Sequence, residues 1–178
     1  MANTVAPFGL APLIGRTTEG GFLSTRFLPA LTATAFYIGD AVTRAAGGGL
    51  SRTITPGTTN YSGVCLQQKA AGVAAPTAAG LPVCDQITQL YRVQDDSTAV
   101  MGVAAKGLNA NLIITGIARR GPTVSGDLLA ATTAAVGANL DMHVVDAWGD
   151  PQTDPALAGA IWVVTFNKHR MATGIAGV

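Results

Sequence analysis

The chain has 178 residues and a mass of 18.0 kDa, the size of one ordinary globular domain. Charged residues make up only 12% of it, about half the roughly 25% usual in soluble proteins. Eleven basic against ten acidic side chains leave a net charge of +1. That excludes a basic nucleic-acid-binding surface, whose affinity comes from clustered Lys and Arg, and an acidic disordered tail.

Residues 1–21 read as an extended arm, because Pro7, Gly9, Pro12, Gly15 and Gly20-Gly21 interrupt it too often for a helix or a long strand. Its apolar residues Phe8, Leu10, Leu13 and Ile14 would be wasted in solvent, so the arm is expected to pack on its own domain or on a neighbour. Residues 22–178 then form a single β-sandwich domain. Phe22–Leu28 is a short mixed run closed by Pro29. Thr34–Thr43 carries Phe36, Ile38 and Val42 on one face, with Gly39-Asp40 as a bulge or turn. Tyr61–Gln67 is a further strand, and Lys69–Pro82, nearly all Ala, Gly, Pro and Thr, reads as a surface loop.

Ile87–Gln94 alternates with period 2, and strands are expected near Ala99–Ala104 and Asn111–Ala118. Asp127–Val136 suits a short helix or turn. Leu140, Met142, Val144 and Trp148 share one face, with Asp141 and His143 on the other. Ile161-Trp162-Val163-Val164-Thr165-Phe166 is β-branched and aromatic and too short for a helix, so it reads as a central strand. Eight or so short strands separated by turn chemistry predict an all-β, jelly-roll-like sandwich or barrel with an extended N-terminal arm.

No run approaches the roughly 20 apolar residues that span a bilayer, and the N-terminus lacks the charged and apolar regions of a signal peptide. These features predict synthesis in a cytoplasm without membrane attachment. Cys65 and Cys84 match no metal or redox spacing and read as reduced buried thiols, a disulfide between them remaining open. The sparse charge has two readings: compositional drift toward Ala, Gly and Thr, or a surface that lies against other subunits, where charge is depleted.

Catalytic chemistry finds no foothold. The two histidines, His143 and His169, lie in no nucleophile motif; the first reads as an exposed strand residue and the second as part of a basic surface cluster with Lys168 and Arg170. Asp141, Asp146, Asp150 and Asp154 lack the spacing of a calcium loop and read as turn or solvated strand-end residues. Gly47-Gly48-Gly49-Leu50-Ser51 lacks the lysine of a phosphate-binding loop. Arg119-Arg120 sits in a loop, where the pair is either solvated or meets a carboxylate on a partner. The expectation is a non-enzyme without cofactor or metal.

Several segments resemble a family of structural proteins of tailed bacteriophages. The opening Met1-Ala2-Asn3-Thr4-Val5-Ala6-Pro7-Phe8-Gly9 is similar to the family's M-A-N-x-x-A-P-F-G arm, and Ala35-Phe36-Tyr37-Ile38-Gly39-Asp40-Ala41-Val42 to its A-x-x-x-Y-I-G-D-x-V segment. Val93-Gln94-Asp95-Asp96-Ser97 resembles a Q-E-D segment, Gly107-Leu108-Asn109-Ala110-Asn111 a G-x-N-A segment, and Ser125-Gly126-Asp127-Leu128-Leu129 an S-G-x-x-L segment. Trp162-Val163-Val164-Thr165-Phe166-Asn167-Lys168-His169 resembles the closing W-x-V-x-I-N-x-H strand.

The resemblance implies a capsid decoration, or cement, protein: a jelly-roll-like domain, often a homotrimer, on the outer surface of the virion head, clamping neighbouring subunits of the phage major capsid protein. On that expectation Phe8, Leu10, Leu13, Ile14, Arg119 and Arg120 are the capsid-contact candidates. A carbohydrate-binding or adhesin-type β module on a virion is the alternative.

Overall fold

Alternating apolar residues build two five-stranded antiparallel sheets in the computed structural model, which describes residues 3, 6, 8–17, 25–30, 33–45, 48–52, 54–57, 60–72, 80–115, 124–150 and 153–170. The strands in chain order are β1 (Ala11–Thr17), β2 (Thr25–Leu28), β3 (Ala41–Arg44), β4 (Leu50–Ser51), β5 (Gly63–Cys65), β6 (Leu81–Cys84), β7 (Gln89–Gln94), β8 (Asn109–Ala110), β9 (Leu112–Ile113), β10 (Leu128–Leu129), β11 (Met142–Ala147) and β12 (Ile161–Phe166). The first sheet runs β1-β7-β12-β11-β8, the second β2-β6-β5-β3-β4, and β9 pairs with β10. This is the all-β, sandwich-like architecture expected. Strand β12, buried along most of its length, lies between β7 and β11 at the centre of its sheet.

The main core fills the space between the sheets. Tyr91, Val93, Met142, Val144, Trp162, Val164 and Phe166 of the first sheet meet Ala41, Tyr61, Val64 and Cys84. Phe166 stacks on Tyr61 with ring centroids 5.0 Å apart and meets Tyr91 edge-on at 5.3 Å. A second core of Leu28, Phe36, Val42, Leu50, Cys65, Leu81 and Val83 covers the far face of the second sheet. Neighbours along β3, β5 and β6 therefore divide between two cores, since successive strand residues point to opposite faces. The same rule decides the cysteines. Val64 pairs with Cys84 and Cys65 with Val83, so the two thiols face opposite sides of the sheet, and both are free.

The described part of the arm, residues 3, 6 and 8–17, packs on its own domain. Strand β1 pairs antiparallel with β7, through Ala11 with Arg92 and Pro12 with Tyr91, and becomes an edge of the first sheet. Leu10 is fully buried in the main core.

Other expectations change. Residues 99–104 hold no strand: Asp95 and Asp96 cap the amides of Ser97 and Thr98, Gly102 has a φ of 68°, and Val103–Ala105 forms a 3-10 turn. Leu81 and Pro82 belong to β6 rather than to a loop, and Lys69 is buried, its backbone paired with Phe36. Ile38 is exposed rather than sharing a face with Phe36 and Val42, because the turn at Tyr37–Asp40 and the positive φ of Gly39 break the alternation.

In β11 a bulge sets Val144 opposite Val164 but Asp146 opposite Val163. The extra residue gives Ala147 the inward position opposite Trp162 and turns Trp148 to the outer face, away from Met142 and Val144.

Candidate interaction surface

Of the sequence-derived contact residues, the side chains of Phe8, Leu10 and Leu13 lie among the described residues. Leu10 is fully buried in the main core, where a side chain has no area left for a partner, whereas Leu13, nearly buried, lines a groove on the outer face of the first sheet. Phe8 is half-buried under the Arg92 guanidinium, 5.3 Å from its ring. The backbone of Ile14 lies in β1, while its side chain and both Arg119 and Arg120 lie outside the described residues.

The resembling segments come together in space. Gly9 crosses Gly39 so closely that a Cβ on Gly9 would stand 2.7 Å from the Gly39 carbonyl oxygen and 2.7 Å from Ser125 Cβ. Both glycines have positive φ, 67° and 91°, a conformation costly for any other residue. The Leu10 amide donates to the Gly39 carbonyl at 2.9 Å, and the Ser125 amide to the Ile38 carbonyl at 2.8 Å. Asp40 accepts from the Tyr37 amide at 2.7 Å and pairs with Arg52 at 2.8 Å. Asp127 accepts from the amides of Thr115 and Ala41.

The remaining motif residues brace loops in the same way. Asn3 donates to the carbonyls of Asp154, Leu157 and Ala158 and accepts from the Asp154 amide. Gln94 accepts from the Ala6 amide and donates to Gly159, and Asp95 takes the amides of Gly159 and Ala160 with the Trp162 indole N–H. Asn167 donates to Ala138 and Leu140, and Asn109 to Gly137. Irregular loops leave backbone groups without ladder partners, and buried ones must be satisfied by side chains.

Among the described residues Asp40, Asp95, Asp127 and Asp141 are buried for this work, and Asp85 is buried against Arg26. Asp141, expected at a solvated strand end, instead accepts from the amides of Gly57 and Leu112. His169, expected on the surface, is buried beside Phe166 because its backbone bridges to Tyr61, and His143 is half-buried against Asn109. Among the described residues no group of three or more His, Cys, Asp or Glu is placed to hold a metal.

Burial raises the carboxyl pKa of Asp40, Asp95 and Asp141, and takes Asp127, also beside the Asp40 charge, up to about 7. Carboxyls raised in the fold bind protons that the unfolded chain has released, so their stabilisation is complete below about pH 4 and lost as the pH rises through their folded values. Burial lowers His143 and His169, whose contribution has the opposite sign and is lost below about pH 6.5. The melting temperature is therefore expected to fall by about 2–3 °C from pH 6.5 to pH 8, as Asp127 ionises. Thermal melts across that range check it, and Asp127→Asn should flatten the slope.

The outer face of the first sheet carries an open groove. Leu13, Leu90, Val145, Val163 and Trp148 line a groove of about 640 Å³, with Asp146 and Asp150 beside them. Val145 is 36% exposed there. Arg92 lies 5.6 Å from the Trp148 ring and 5.3 Å from that of Phe8, joining the arm to this face. The sequence hid the groove because the β11 bulge, which alternation does not announce, is what puts Trp148 on it. No protein-family model, curated protein or solved structure matches the chain.

Proposed function

We propose that this chain is a capsid decoration protein, a non-catalytic fastener that sits on the outside of a tailed-phage head and bridges neighbouring major capsid subunits, acting as a homotrimer. The observation that carries the reading is the meeting of the resembling segments around Gly9, Gly39 and Ser125. Motifs scattered along the sequence serve one packed arrangement, as the parts of a shared fold would. The exposed groove supports it further: an apolar sheet face with Trp148 at its side suits burial against a protein neighbour. Repetition over a shell multiplies such contacts, so modest affinity at each suffices.

Co-sedimentation with tailed-phage heads lacking their decoration protein tests the proposal. Saturable binding is expected, lost in Val145→Asp and Trp148→Ala chains that still melt cooperatively, together with a trimeric mass in solution. A monomer that leaves heads unoccupied defeats it. The carbohydrate-binding alternative draws on one feature, the placement of Trp148 near Asp146 and Asp150 in the same groove, and binding on a glycan array would favour it.

A further inference from the structure

A second, smaller cavity lies at one end of the second sheet and is lined by groups of a different chemistry. It measures about 190 Å³, and Arg26, Arg44, Ser62, Asp85, His169 and Arg170 line it. The backbone assembles these residues from distant parts of the chain. The Tyr61 amide donates to the Lys168 carbonyl at 3.0 Å, and the Arg170 amide to the Tyr61 carbonyl at 2.7 Å. The Ser62 amide donates to Val42 at 2.7 Å, two residues before Arg44 at the end of β3. Residues 61–62 thus hold the closing segment on one side and β3 on the other. Strand β2 brings Arg26, whose Nε meets Asp85 at 2.8 Å.

Two features ask for a ligand. Three arginines and one aspartate are among the lining residues, so the lining carries two positive charges in excess. Asp85 pairs with Arg26, while Arg44 and Arg170 have no ion-pair partner among the described residues. The Ser62 hydroxyl is buried, its residue only 5% exposed, and makes no hydrogen bond. A buried hydroxyl left unmatched costs about 1–3 kcal/mol, and native structures rarely leave one without a water or an ion. We infer that this cavity is an oxyanion site that takes a phosphate group, with Arg44 and Arg170 supplying charge-assisted N–H donors and the Ser62 hydroxyl a further donor at its floor. Planar guanidinium forks match the oxygens of a tetrahedral oxyanion, and a dianion balances the two excess charges.

Calorimetric titration of the full chain with inorganic phosphate, in chloride at constant ionic strength, tests the site. Saturable one-to-one binding is expected. The Arg44→Ala/Arg170→Ala double variant should weaken it roughly tenfold or more, and Ser62→Ala several-fold. Ser62→Ala removes an unmatched group, so its thermal melt should be no worse than that of the unaltered chain. The His169 imidazole, followed by NMR, should titrate at higher pH with phosphate bound, because an anion beside it favours the protonated ring. Phenyl phosphate separates the two sources: equal binding assigns the site to the terminal phosphate of a larger molecule, and binding of inorganic phosphate alone assigns it to the free ion. No saturation at millimolar phosphate, or binding indifferent to loss of both arginines, overturns the inference.

Discussion

Leu10→Ala is expected to destabilise the domain by about 2–5 kcal/mol, and removal of residues 1–21 to abolish its cooperative unfolding altogether. Leu10 is fully buried in the main core, and its amide is hydrogen-bonded to the Gly39 carbonyl. Deletion would empty that place, strip β1 from the edge of β7 and leave the buried Gln89 amide without the Leu13 carbonyl it donates to. Urea unfolding of the point variant and a thermal melt of the truncated chain measure both effects. A truncated chain that melted like the whole one would show the opposite arrangement, an arm held free for a partner. The consequence for function is direct: loss of head binding on truncation would report unfolding, so binding is better probed at Val145 and Trp148.

Asp95→Ala should cost about 3–5 kcal/mol, near the limit of what one substitution does. One carboxylate oxygen accepts from the amides of Ser97 at 3.0 Å and Gly159 at 2.6 Å; the other accepts from the Ala160 amide at 3.1 Å and the Trp162 indole at 3.0 Å. Truncation leaves several buried donors unmatched, each at about 1–3 kcal/mol before relaxation. Asparagine should rescue little, because its NH2 would face two donors where an oxygen stood. Urea denaturation gives the stability, and the near-ultraviolet circular dichroism of Trp162 reports whether the core around it survives. A cost below 1 kcal/mol would mean that the 95–98 turn is not held by this carboxylate.

The fold is more legible in the chain than the site, and particular residues show why. The β-branched run at Ile161–Phe166 identifies its own place, since apolar residues too few for a helix and too continuous for an exposed strand belong in the middle of a sheet. Asp95 gives no such signal. An aspartate beside a second aspartate reads as a turn, and only the approach of Gly159 and Ala160, more than sixty residues on, makes it a buried acceptor. His169 misleads in the same way: its neighbours Lys168 and Arg170 suggest surface, while the bridge to Tyr61 buries the ring between them. The cavity of Arg26, Arg44 and Arg170 was equally unreadable, its charges lying far apart along the chain.

Residue alternation and turn chemistry were sufficient by themselves to determine an all-β chain, the identity of its central strand and the apolar character of its leading segment. These are properties of neighbours along the chain, decided by which side chains share a face within a few residues. The destination of the leading segment, the side of the sheet taken by Trp148 and the burial of Asp40, Asp85, Asp95, Asp127 and Asp141 were decided only by the tertiary structure. Each depends on which distant backbone groups lack a partner once the sheets have packed, and a buried donor draws its acceptor from wherever the fold brings one within reach.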